Sequence, residues 1–264
     1  MYPILVDAFG VVLPSWHVFF VLGAIYGFFY FRFLNDHSQS PLADKAMRQY
    51  YCIVYLAGLL GARGLNILVE SWGQPLSILD FLTQLVSLGG LTFYGGPLAG
   101  IVAGVTYGYV KKLDIKNLFN ISIPPVFAAL ILGRIGCFLN GDDYGTPTPE
   151  ALSFLGIVNP VLEDGILRFP VQLYESFLVA IPVFCGAYTI KIRKSPLLNY
   201  FGPFFLVYYA IVRFCLEYLR GDARGYWLEP YLSTSQGISL ALIMAVAAVA
   251  AYGTRRQSRS PSST

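Results

Sequence analysis

Apolar residues in this chain come in blocks about twenty long, and polar residues gather between them. Seven such blocks stand at about residues 13–34, 50–69, 92–110, 123–140, 170–190, 199–219 and 233–253. Each matches the about 20 residues that a helix needs to cross a hydrocarbon layer. Glycine and proline punctuate the connections, at Gly73 to Pro75, Gly89-Gly90, Pro147 to Pro149 and Ser195-Pro196. No internal repeat is evident. The pattern predicts an all-α integral membrane protein with seven transmembrane helices.

Composition agrees. Of 264 residues, 56% are hydrophobic and 12% charged, against about a quarter charged in an ordinary soluble domain. The spans use up the chain, so residues 1–253 read as a single membrane domain. The N-terminus lacks a basic leader and a small-residue cleavage site, and its first block reads as a retained span. Cys52, Cys137, Cys185 and Cys215 all sit in apolar blocks without CxxC spacing, which suggests neither a disulfide framework nor a metal site. Three of them read as packing residues. Nothing in the charge balance indicates a nucleic-acid partner.

Where the charges fall fixes an expected topology. Arg32, Lys45 and Arg48, then Lys111, Lys112 and Lys116, then Lys191, Arg193 and Lys194, then Arg255, Arg256 and Arg259 occupy alternate connections and the tail. The other connections carry Asp7, Glu70, Asp80, Asp142, Asp143, Glu150, Glu163, Asp164, Asp222 and Glu229, with Arg168, Arg220 and Arg224 as their basic residues. By the positive-inside rule the N-terminus lies outside and the C-terminus inside. The Arg- and Ser-rich residues 254–264 read as a disordered tail.

Three of the eighteen basic residues, Arg63, Arg134 and Arg213, fall inside or at the ends of spans. Burying an arginine near the bilayer centre costs about 2.5–3.5 kcal/mol on insertion scales, so such residues face a partner or a wet cavity. Arg213 and Glu217 are four apart, on one helical face, with Arg220 nearly on that face one turn later. One reading is a buried ion pair that orients helices. The other is an anion site: a guanidinium fork matches phosphate oxygens, and the natural anion in a bilayer is a phospholipid headgroup. Arg134, Arg213 and either Arg63 or Arg220 would line it, with Asn140 and Tyr94 adding hydrogen bonds. In "SLGGLTFYGGPLAG", the glycine pairs around Tyr94 fit close approach by a ligand or plain helix packing. In "RFPVQLYES", Gln172 and Glu175 are three apart, and Glu175 either pairs with an arginine or caps the helix start.

Together these stretches resemble the bacterial prolipoprotein diacylglyceryl transferase family. The family pattern G-R-[IL]-G-N-F-[IL]-N-G-E-x-x-G stands here as GRIGCFLNGDDYG. G-G-x-[ST]-F-H-G-G stands as GGLTFYGG, R-H-P-x-Q-L-Y-E as RFPVQLYE, and Y-x-x-x-R-x-x-x-E-x-x-R as Tyr209, Arg213, Glu217 and Arg220. The resemblance runs from "GARGLN" to "TSQGISL" and keeps the family's order. It implies transfer of the diacylglyceryl group of phosphatidylglycerol to the lipobox cysteine of a prolipoprotein signal peptide, forming a thioether and releasing glycerol phosphate. It also implies a seven-span bundle in the bacterial inner membrane with the N-terminus periplasmic, and no metal or soluble cofactor.

By position in these motifs, Arg134, Asn140, Asp142 in place of Glu, Gly145, Arg213, Glu217 and Arg220 are the expected site residues. Arg134 and Arg213 would stabilise the departing phosphate in a cationic cleft that also favours the thiolate. Asp143 is expected to be solvated. Departures from the pattern sit at the site: Tyr94 and Phe169 replace histidines and Cys137 replaces an asparagine. A tyrosine with a pKa near 10 is a poor base at neutral pH, which leaves His17, in the first span, as a substitute base or a structural residue. Two other readings stand beside this one: a divergent paralogue acting on another lipid or acceptor, and a lipid or solute transporter, since buried arginines also mark transport paths.

Overall fold

The computed structural model describes residues 1–8, 11–87, 90, 92, 94–193, 196–222, 225–229 and 231–259. Eight α-helices dominate the described residues: α1 (Ser15–Asp36), α2 (Asp44–Glu70), α3 (Ile78–Val86), α4 (Gly95–Val110), α5 (Ile115–Asn140), α6 (Val171–Arg193), α7 (Phe201–Leu216) and α8 (Thr234–Arg259). Three small antiparallel hairpins, β1–β2 (Ile4–Ala8, Val11–Pro14), β3–β4 (Ile157–Val158, Leu167–Arg168) and β5–β6 (Tyr226–Leu228, Leu232–Ser233), lie between or before them. Strands of two to five residues leave no periodic signal, so the sequence pattern did not reveal them.

Among the described residues, six helices are long and apolar enough to cross a membrane: Ser15–Asp36, Asp44–Glu70, Ile115–Asn140, Val171–Ile192, Leu197–Leu219 and Thr234–Tyr252. They are the core of an integral membrane protein. The expected third crossing is α4, whose 16 residues reach about 24 Å against a hydrocarbon core of about 30 Å. α3 falls in what the sequence presented as a connection; its Ser77 cap accepts a hydrogen bond from the Asp80 N–H at 3.1 Å. α8 stays helical to Arg259, within the stretch read from the sequence as a tail.

The chain divides into two compact units, Met1–Leu34 with Asn120–Thr264, and Asn35–Phe119. In the first, apolar side chains such as Phe29, Phe177, Ile181 and Phe184 point outward, as lipid-facing residues should. Inside, Phe169, Val171, Val212 and Leu216 form an apolar cluster with Tyr174, Leu178, Tyr208 and Leu219. Pro124 and Pro125 in α5 and Pro182 in α6 are carried within continuous helices, as membrane helices tolerate. Ser233 and Gln236 cap the start of α8 reciprocally: each side chain accepts from the other's backbone N–H at 3.2 Å.

In the second unit α2 and α4 pack backbone to backbone. A side chain at Gly61 would strike Gly95 and Ala99, so the glycine pair Gly95-Gly96 that opens α4 serves helix packing. Gly89 lies outside the described residues. Cys52, Cys185 and Cys215, expected to pack inside, are instead exposed on helix surfaces; a small apolar thiol suits a lipid-facing position as well as a core.

Candidate functional site

The end of α5 builds the site. Gly141, at φ +87°, closes the helix, and its N–H and that of Asp142 both donate to the Cys137 carbonyl, at 3.0 and 3.2 Å. Asp143 is also left-handed, at φ +60°, a conformation that a short polar side chain tolerates. These turns bring the chain back beneath Arg134. The next residues form a short strand: Gly145 pairs with Arg220 and Pro147 with Arg168. Thr146 N–H donates to Leu219 O at 2.8 Å and Gly221 N–H to Tyr144 O at 3.0 Å. A side chain at Gly145 would run into the carbonyls of Phe169 and Leu219, so glycine is the residue that lets Arg220 lie beside this loop.

Arg134 spans two carboxylates. Its Nη1 donates to Asp143 at 2.5 Å and its Nη2 faces Glu175 at 2.9 Å. Glu175 is fully buried on α6 and accepts from the Tyr209 hydroxyl at 2.8 Å. It therefore pairs with an arginine and does not serve as a helix cap. Asp143's second oxygen accepts from Arg220, whose Nε and Nη2 also hold Asp222 at 2.9 and 3.0 Å. Arg213 faces Glu217 at 2.8 Å and donates to Ser235 Oγ at 3.1 Å. α7 ends at Leu216 and continues as one 3₁₀ turn, Glu217–Leu219, so Arg220 is in extended backbone and not on a helical stripe with Arg213.

Two expectations change here. Asp143 is no solvated bystander: burial works to raise its pKa, but Arg134 and Arg220 beside it prevail and hold it below the ordinary carboxylate value. Asp142 is the exposed one of the pair; its carboxylate accepts from Asn140 and its backbone carbonyl from the buried Gln172. Nor is the site a plain cationic cleft. Arg134, Arg213 and Arg220 face Asp143, Glu175, Glu217 and Asp222. Charges that enter a low-dielectric interior must be paired to be tolerated, and topology alone could not show the partners. Burial, opposed by Arg220, pushes the Asp222 carboxyl up.

Cys137 is half-buried on α5. His17 is half-buried on α1, its ring edge-on to Trp16 at 5.1 Å and its Nδ1 buried without a hydrogen-bond partner among the described residues. Phe169, where the motif has histidine, belongs to the apolar cluster. Within the other unit, Tyr94 precedes α4 and is 42% exposed. Arg63, also in that unit, closes the end of α3, donating to Gln84 O, Ser87 Oγ and Gly90 O, each at 3.0 Å. A cation over a helix C-terminus is a structural use. The sequence pattern did not single out Ser235 and Asp222 as partners, although Ser235 lies within "TSQGISL" and Asp222 two residues after Arg220.

Apolar spans around a buried cluster of arginines and carboxylates define a multi-pass membrane protein with an ionic centre at one end of its helices. A sequence model of the family described as prolipoprotein diacylglyceryl transferase matches residues 3–252, and the chain belongs to that family. Similar proteins include the phosphatidylglycerol–prolipoprotein diacylglyceryl transferases of Clostridium tetani, Rickettsia bellii and Campylobacter hominis. The first is 31% identical over 252 residues, 92% of this chain and 94% of the relative. The second is 28% identical over 245 residues, 89% of each, and the third 26% over 257 residues, 92% and 86%.

Proposed function

We propose that this protein transfers the diacylglyceryl group of phosphatidylglycerol to the lipobox cysteine of a prolipoprotein signal peptide. The thiol sulfur attacks the glycerol carbon that carries the phosphate. A C–S bond forms, the C–O bond breaks, glycerol phosphate leaves with the electron pair, and the thiol proton passes to a base. The observation that carries this reading is the family match across 3–252, joined to an arginine cluster where such a phosphate would need charge.

Arg134 and Arg213 are the phosphate ligands in this reading, acting most strongly on the charge that grows as the C–O bond breaks. Arg220, Asn140, Asp142, Gly145, Gln172 and Glu175 shape the pocket, Glu217 orients Arg213, and Cys137 lines the wall. Arg63 and Tyr94 are carried as site residues on their positions in the sequence alone. His17 and Tyr94 are the two candidates for the base, to be separated by comparing rate-versus-pH profiles of His17→Ala and Tyr94→Phe; an unchanged profile in both would remove both. The topology that suits the charges is seven crossings in one domain over 1–253, α4 and its approach making the third. The N-terminus is then periplasmic, the tail cytoplasmic, and the membrane the bacterial inner membrane. Expression in a bacterium depleted of its own transferase should restore lipid attachment to a lipobox substrate. Absence of the thioether product would refute the reading.

A further inference from the structure

The two carboxylates on Arg134 are unlike. Glu175 is completely enclosed and held by Tyr209, whereas the Asp143 side chain keeps 30% of its exposure, the largest share in the cluster. Asp143 also sits on a left-handed residue of the loop, outside α5, while Glu175 projects from the interior of α6. Its two oxygens take one nitrogen each from Arg134 and Arg220, the arrangement that two oxygens of a phosphodiester would take between the same guanidinia. Each of these arginines keeps a second acid when Asp143 lets go: Glu175 for Arg134 and Asp222 for Arg220.

We infer that Asp143 is a displaceable positioning residue: its carboxylate holds Arg134 and Arg220 in register and yields its place between them to the phosphate of the incoming lipid. Glu175 and Asp222 remain as fixed counter-ions. This rests on the reading of Arg134 as a phosphate ligand. It follows that Asp143 competes with the phosphate and sets how tightly the pair holds it. A purely structural brace would do the opposite, since its removal would loosen the arginines and weaken anion binding.

The test uses the full-length protein in phosphatidylcholine nanodiscs. Calorimetric titration with soluble glycerol 1-phosphate reports the anion site alone, and thioether formation with increasing phosphatidylglycerol reports the lipid. Asp143→Asn and Asp143→Ser should each tighten glycerol phosphate binding by about fivefold, the upper range for a charge pair that solvent reaches. The KM for phosphatidylglycerol should fall in parallel, while kcat does not rise. Unchanged or weaker binding in both variants overturns the inference, as does loss of the folded state in both, which would make Asp143 a brace. Arg134→Ala separates the two claims: if it binds glycerol phosphate as well as the wild type, the phosphate-ligand reading fails and the inference falls with it. If Arg134→Ala loses binding while the Asp143 variants show no gain, only the inference fails.

Discussion

Arg134 connects a loop acid, Asp143, to a buried acid, Glu175, and its removal leaves Glu175 without its cation in an enclosed site. Breaking a buried pair in this way costs about 3–5 kcal/mol, and losing a donor aimed at developing charge costs about 10²–10³ in rate. Arg134→Lys keeps the charge without the fork. It should retain the fold by circular dichroism while turnover drops on that scale; wild-type turnover would contradict the phosphate role. A second prediction concerns acid. Because Asp143's pKa is depressed in the fold, its contribution to stability is complete above the unfolded value of about 4. That contribution is lost as pH falls through the lower folded value. Thermal midpoints should therefore fall with acidification below about pH 4, less steeply in Asp143→Asn; identical slopes would show that the ion pairs contribute nothing. At this scale the sequence was half legible. Arginines inside apolar blocks announce themselves by their cost, but which of two adjacent acids turns inward depends on the left-handed turns at Gly141 and Asp143, which no periodicity encodes.

The helices were legible where their apolar runs were long, and their ends were not. α2 and α5 begin earlier than their apolar blocks because Asp44 and Ile115 open polar first turns. The short strand around Gly145 is what brings the end of α5 to Arg220, and it depends on the absence of a side chain. Gly145→Ala would press a methyl against two carbonyls. Overpacking of that kind costs about 1–3 kcal/mol and should lower both thermal stability and turnover. A fully active, equally stable Gly145→Ala protein would mean that the strand is not what sets Arg220.

For the whole molecule, blocks of apolar residues identified a membrane protein because nothing else places so many of them side by side, and six helices carry that reading. The crossing assigned to α4 rests on charge. With Cys52, Cys137, Cys185 and Cys215 replaced by serine, a cysteine at Lys112 should resist an impermeant maleimide in intact cells and react after permeabilisation. Labelling from outside would mean that α4 does not cross. Diacylglyceryl transfer itself is tested by reconstitution. Purified protein, phosphatidylglycerol labelled in its acyl chains and a lipobox peptide should yield a labelled thioether with release of glycerol phosphate, and the Arg134→Ala protein should yield about 10²–10³ less. Unlabelled peptide with the wild-type protein would rule out the transfer, and equal product from both proteins would rule out Arg134 as its phosphate ligand.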